Sequence, residues 1–493
     1  MKTVEKHALL ALLSLACALL APCAEAAVAI TVTSKNAAGV GFNDPTPVAP
    51  VGGNTGTTLG QQRMNAVTYA ANLWGATLNS NVRITIDALF TTALACNATG
   101  AVLANSGPTQ VFRDPSGVTL PKANTYYPYP LANKLFGQDV MATPATQVVA
   151  NINMGLGGPN CLAGAFFYLG LDGNHGSGID LVAVMLHEFG HGMGFGTYTD
   201  GSNGRQFGAT IFAPTGGFPS IWDHFLFGTV TGKFWKDMTP AQRVASAISV
   251  DKLVWNGPML TAAAPQVLRQ GSAGVAISGS AAGTLAGVHA AGEAEFGASL
   301  ITPLTAGVLP VLGTTAADSA ANGLGLGCDP ITGNNAKAIK ANIALLSRGG
   351  TCSFVVKVKN AQDAGAIGVL IADNVAGAPL GMTGVDPSVT IPAVRISLDD
   401  GTALLAKLSS RSRTGSGIVA TIGLFGNTLA GTDSLFRLKM YAPSPFLSGS
   451  SVLHFDTSAT RNLLMEPAIN VDLTQSLIPP IDLTYVLLQE IGW

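Results

Sequence analysis

Charge is scarce in this chain of 493 residues: Asp, Glu, Lys and Arg together make up 11%, and the formal net charge is -2. A nucleic-acid-binding surface needs a basic footprint, and a solvating tail needs a run of acidic residues; neither is present. Long apolar runs are scarce too, because after the N-terminal one no segment is long and apolar enough to span a bilayer. What is plentiful is glycine, with 59 residues, beside 27 prolines and 47% hydrophobic residues. That balance describes a turn-rich globular chain rather than a disordered one. The length predicts two or three domains.

At the start of the chain Lys2 and Lys6 precede the apolar run Ala8 to Ala21, and Ala24-Glu25-Ala26 offers a small-x-small cleavage site. Residues 1–26 therefore read as an export signal, with the mature chain expected from about Ala27. Pro22 immediately before Cys23 argues against lipid attachment there. An exported protein, extracellular or periplasmic, favours disulfides. Of six cysteines, Cys17 and Cys23 leave with the signal. Pairing Cys96 with Cys161 and Cys328 with Cys352 keeps each expected bridge inside one domain.

The stretch DLVAVMLHEFGHGMG, Asp180 to Gly194, has no polar face at helical spacing, so it predicts a helix buried on most sides. His187, Glu188 and His191 sit inside it. Ionisable side chains in an apolar helix are costly to desolvate unless something engages them. Four residues apart, His187 and His191 project from one side and can place two imidazole nitrogens on a zinc ion. Glu188, beside them, is suited to act as general base on a water at the metal rather than as a ligand. The alternative is a pair of core histidines satisfied by backbone carbonyls. Gly194 can adopt the left-handed turn that ends the helix.

Upstream, residues 28–33 alternate as a strand. Gly41 to Asn54 reads as a loop, and Met64, Val67, Ala71 and Trp74 form the stripe of a helix starting near Thr58. Val82, Ile84 and Ile86 mark a second strand, and residues 147–153 another. Strands and a helix ahead of a metal-binding helix are analogous to the upper half of a zincin protease, where an edge strand holds extended substrate. Between 197 and about 265 lie aromatic anchors such as Trp222, Trp235 and Trp255, most simply core. Small Ala/Gly-rich sequence follows from about 270. Ile343 to Leu346, Ile367 to Ala372 and Ile391 to Ile396 then read as strands, and Ser353 to Ala364 as a helix. A short helix capped by Asp482 closes the chain.

A catalytic zinc commonly has three protein ligands and one open position. The pattern HExxHxxGxxH would put the third at position 197, which is Thr197, and no glutamate occurs between Glu188 and Glu293. Asp200, His175, His224, His289 and His454 remain. Asp200 closes a GTYTD string resembling the GTxxD signature of aspzincins, although in that family the string lies further from the histidines. Among the histidines, His454 is followed 11 residues later by Met465 in the string LLMEP. Together, HEFGHGMGF at 187–195 and HFD...LLMEP at 454–467 resemble the leishmanolysin family of metzincin metalloproteases. In that family a long insertion separates the HExxH helix from the third histidine. The resemblance implies zinc held by His187, His191 and His454, Glu188 as catalytic base, and Met465 as the Met-turn floor beneath the metal. Here 263 positions separate the second and third histidines. The span between Ala26 and the first strand leaves no room for a sizeable cysteine-bearing propeptide, so latency by a cysteine switch is not expected.

Within that insertion, RGGTCSF and AQDAGAIGV, followed by IPAVRIS, resemble a protease-associated (PA) domain, a non-catalytic module that accompanies proteases. The expected fold is α+β, with a zincin/metzincin-like catalytic domain over 27–270 and 429–493, split by an α/β PA domain over 271–428. Together the resemblances imply a secreted zinc endopeptidase acting on protein or peptide substrates, with no nucleic-acid partner and no stable membrane insertion. The rival expectation is a secreted binding or adhesion protein that uses the PA module on a zincin scaffold.

Overall fold

The computed structural model describes residues 27–493 apart from 99, 144, 210–215, 385, 413–414 and 471. The expected signal, with Cys17 and Cys23, lies outside the described residues. Thr58 starts the first long helix, its side chain accepting from the Gln61 backbone N–H, and α1 runs over Leu59–Thr77. Its buried Val67, Ala70, Ala71 and Trp74 share one core with a sheet of four strands. These are β1 (Ile30–Ser34), β2 (Ile84–Thr91), β3 (Ala104–Pro108) and β4 (Val148–Asn153).

The spatial order is β1-β2-β4-β3, with β1, β2 and β4 parallel and β3 antiparallel on one edge. Strict alternation along β2 buries Ile84, Ile86, Ala88 and Phe90 on the helix-covered face. Val82 falls just before the strand instead of within it. The helix α2, Leu181–Met193, packs against α1 and lies along β3 and β4. The Trp74 indole N–H donates to Leu186 O at 3.0 Å and locks the two helices together.

Residues 270–429 form a closed seven-stranded barrel. Its strands are β5 (Gln270–Ser278), β6 (Gly287–Glu293), β7 (Leu304–Pro310), β8 (Ile343–Ser347), β9 (Gly368–Ala372), β10 (Ala393–Ile396) and β11 (Val419–Leu429). Parallel pairing joins β7 through β10, and antiparallel β5, β6 and β11 close the ring. β8, β9 and β10 are buried throughout, as expected for parallel strands covered on both faces. The helix α3 (Phe354–Asp363) crosses over between the parallel strands β8 and β9, and α4 (Leu398–Leu408) lies between β10 and β11. The Ala/Gly-rich sequence around 270–310 supplies three strands that its composition concealed, because small side chains mute the alternation that marks a strand.

One hydrophobic core draws on residues from Val28 to Leu268 and again from Leu429 to Trp493. Two others lie within 275–422. The last helix, α5 (Thr484–Ile491), joins the first core, and the Trp493 indole donates to Met193 O at 2.7 Å at the end of α2. Asp482 does not occupy the cap position of α5, which is Leu483. Both expected disulfides are present, Cys96–Cys161 and Cys328–Cys352. Among the described residues, no helix is long and apolar enough to cross a membrane.

Candidate metal centre

Asp180 begins α2, accepting from Val182 N at 2.8 Å through one oxygen and from Gln475 Nε2 at 2.9 Å through the other. Gly194 ends the helix at φ 110°, a left-handed conformation that favours glycine. The glycine between the motif's Phe189 and His191 has a packing reason. A Cβ on Gly190 would meet Met465 Sδ at 2.8 Å. Gly190→Ala is therefore expected to displace Met465 and destabilise the protein by ~1–3 kcal/mol, the usual range for overpacking. A denaturant midpoint indistinguishable from that of the natural chain would contradict this close approach.

Three histidines converge. His187 Nε2 lies 3.2 Å from both His191 Nε2 and His454 Nε2, and the latter two are also 3.2 Å apart. Each opposite nitrogen faces a backbone carbonyl: His187 Nδ1 meets Leu464 O at 2.7 Å, His191 Nδ1 meets Phe195 O at 2.7 Å and His454 Nδ1 meets Ser450 O at 2.8 Å. A carbonyl only accepts, so every Nδ1 must carry the proton. In the neutral rings, every Nε2 then presents a lone pair to the other two. Three converging lone pairs repel one another unless a cation stands among them. Tetrahedral bonds of ~2.0 Å from zinc would space the nitrogens about 3.3 Å apart. The residues fit such an ion.

The electrostatics agree with that geometry. Burial, with His191 adding charge repulsion, lowers the His187 pKa to about 3. Burial lowers His191 to about 4 and His454 well below its ordinary value. All three imidazoles therefore stay neutral and free to bind a metal over most of the pH range. Glu188 is buried beside His187, and desolvation pushes its carboxyl up to about 8. A cation on the histidines acts in the opposite direction and favours the carboxylate.

Met465 is fully buried, and its carbonyl accepts from Phe455 N at 2.8 Å, joining the turn to the residue after His454. Asp200, His175, His224 and His289 are not part of the three-histidine group. Asp200 closes its own turn through Ser202 and Asn203. His224 contacts Thr125 Oγ1 at 3.0 Å, and His289 contacts Asp400 at 2.7 Å. His175 borders the cleft described below and faces Gly178 O at 2.8 Å.

Asp482 is the residue whose part at the site was not foreseen. Its Oδ2 accepts from Leu464 N at 2.7 Å, and Leu464 O holds the His187 ring. Its Oδ1 accepts from Thr484 N at 2.7 Å. One carboxylate thus anchors the first helical turn of α5 and the histidine's carbonyl partner together. Nothing local in the sequence signals this, since the partners lie 18 residues apart. Asp482→Ala is expected to weaken zinc binding by roughly ten-fold, the lower end for outer-shell partners. Chelator competition checks it; unchanged affinity would contradict the link.

The triad opens into a cleft of about 1620 Å³. Glu188 borders it, and so does the edge strand β3, whose outer side has no strand partner among the described residues.

Residues 303–404 match the PA domain family, so the chain contains a PA domain within a mixed α/β fold. Over 78 residues it is 41% identical to a receptor homology region, transmembrane domain- and RING domain-containing protein 1 from Oryza sativa subsp. japonica. That match covers 16% of this chain and 14% of the relative, so the chain spans about one-seventh of that protein's length. Among solved structures, an aminopeptidase from Aneurinibacillus sp. strain AM-1 aligns at 25% identity, 32% of each chain and a TM-score of 0.23. BSAP, a zinc aminopeptidase from Bacillus subtilis, aligns at 22% identity, 34% of this chain and 37% of that one, with a TM-score of 0.21. At those scores the two alignments establish no shared overall fold.

Proposed function

We propose that the chain is a secreted zinc endopeptidase of the leishmanolysin-like metzincin type, its catalytic part built from 27–270 and 429–493 around an inserted PA domain. The observation that carries this reading is the convergence of three Nε2 lone pairs, each fixed by a carbonyl behind its ring. In it His187, His191 and His454 hold zinc, and Met465 packs beneath them. Bound there, zinc supplies a Lewis acid that acidifies water toward pKa ~7 and polarises a peptide carbonyl.

The remaining steps belong to the chain itself. A Glu188 carboxylate oxygen takes a proton from the attacking water and delivers it to the leaving amine nitrogen. The unpaired side of β3 offers backbone groups to an extended peptide, as in strand addition. That mode grips the main chain on both sides of the cleaved bond. Cleavage therefore does not depend on a free terminus.

A peptide blocked at both ends distinguishes this from terminal trimming. The expected outcome is internal cleavage of an acetylated, amidated peptide at a rate similar to that of its unblocked form. Hydrolysis only of the unblocked peptide, from its N-terminus, would overturn the endopeptidase assignment.

A further inference from the structure

The cleft is walled by two parts of the chain. Thr351, Ser353, Phe354, Val355 and Val356, at the start of α3, border the same space as His187, Glu188 and His454. This segment belongs to the PA domain. Cys352 ties it to Cys328, and the Ser353 side chain accepts from Val356 N to cap the helix. Val355 packs so closely on Gly384 that a Cβ there would clash with its Cγ2. Val356 is 40% exposed.

The cleft's charges are few. Among the described residues, no lysine or arginine borders it. Of its carboxyl groups, Asp180 is engaged by Val182 and Gln475. Glu295 accepts from Gly384 N at 3.2 Å, and burial pushes its carboxyl up to about 8, so it brings little charge at neutral pH. Glu188 is the remaining one. A charged substrate side chain desolvated against the PA-domain wall would find no countercharge, whereas an apolar one gains by leaving water.

We propose that Phe354 and Val356 of the PA domain form a substrate subsite that selects an uncharged, apolar side chain on an extended peptide. The proposal rests on the peptidase reading and names which part of the chain sets its preference. An inserted domain that supplies part of the wall makes specificity depend on residues far in sequence from the metal ligands.

The test introduces a charge at the wall. Val356→Glu changes a half-exposed position in the first turn of α3, where an acidic residue suits the helix dipole, and Val356→Lys supplies the opposite charge. Peptides carrying Leu, Lys or Glu at one position at a time are compared by kcat/KM. The natural protein is expected to prefer Leu at one position. There, Val356→Glu should raise the Lys-to-Leu ratio at least about five-fold, and Val356→Lys should raise the Glu-to-Leu ratio similarly. Anisotropy with the same labelled peptides, in a Glu188→Gln background, reads binding without hydrolysis. Shifted binding without any cleavage by the natural protein would support the subsite while overturning the peptidase reading. Cleavage with ratios unchanged at every position would overturn the subsite and leave that reading standing.

Discussion

Replacing Glu188 by glutamine is expected to lower kcat by about 10³-fold, roughly 4 kcal/mol of barrier, while the protein keeps its full complement of zinc. Glutamine matches glutamate in shape and cannot take the proton. The other carboxyl groups bordering the cleft have different tasks: Asp180 holds the start of α2, and Glu295 accepts from Gly384 of the PA domain. Neither stands next to the histidine triad in sequence, as Glu188 does. Zinc content and casein hydrolysis measured on the same preparation separate the two effects. Loss of zinc would make Glu188 a ligand, and retention of more than a tenth of the activity would remove it as the base.

The same substitution has a thermodynamic signature in metal-free protein. The folded-state pKa of Glu188 is raised to about 8, above its ordinary value of 4.5. The folded chain therefore binds the proton more tightly than the unfolded chain, and stability falls as pH rises between those values. Glu188→Gln removes that loss. After zinc is stripped, the variant's advantage in Tm should be larger at pH 7 than at pH 5.

His454→Ala is expected to lose both zinc and hydrolysis. With the third imidazole gone, two ligands on one helix remain, and the loss of affinity should exceed the ~100-fold that marks the upper end for outer-shell changes. Zinc per chain after dialysis should fall from about one to near zero. Asp200→Ala serves as the contrast. Asp200 spends its oxygens on Ser202 and Asn203 and lies outside the three-histidine group, so its removal should leave zinc content unchanged. If His454→Ala kept zinc and Asp200→Ala lost it, the ligand set would be the other one.

The parts of this fold that were legible in the sequence are those set by local chemistry. The spacing of Met64, Val67, Ala71 and Trp74 announced α1, and Gly194 the end of α2 by its left-handed turn. The two cysteine pairs followed from keeping each bridge within one domain. The spacing of His187 and His191 places both rings on one side because both ride on one helix. His454 had no such local signal: it meets them from 267 positions beyond His187, and only its resemblance to a family pattern drew attention to it.

The supports behind the rings were not legible. The carbonyls of Leu464, Phe195 and Ser450 belong to backbone, which carries no residue-type signature. Asp482 looked like an ordinary helix cap because its bond to Thr484 N is local and its bond to Leu464 N is not. The PA barrel's closure was hidden for a different reason. About half of the residues in its first three strands are alanine, glycine or serine, whose small side chains blur the inward-outward alternation.

The most direct test of the central claim is zinc stoichiometry on the purified mature protein, paired with casein hydrolysis before chelation, after chelation and after zinc is restored. The expected result is about one zinc per chain, with hydrolysis abolished by the chelator and recovered with the metal. Hydrolysis that survives complete removal of zinc would contradict the account. So would a chain that binds one zinc and never cleaves, which is the behaviour of a binding protein built on this scaffold.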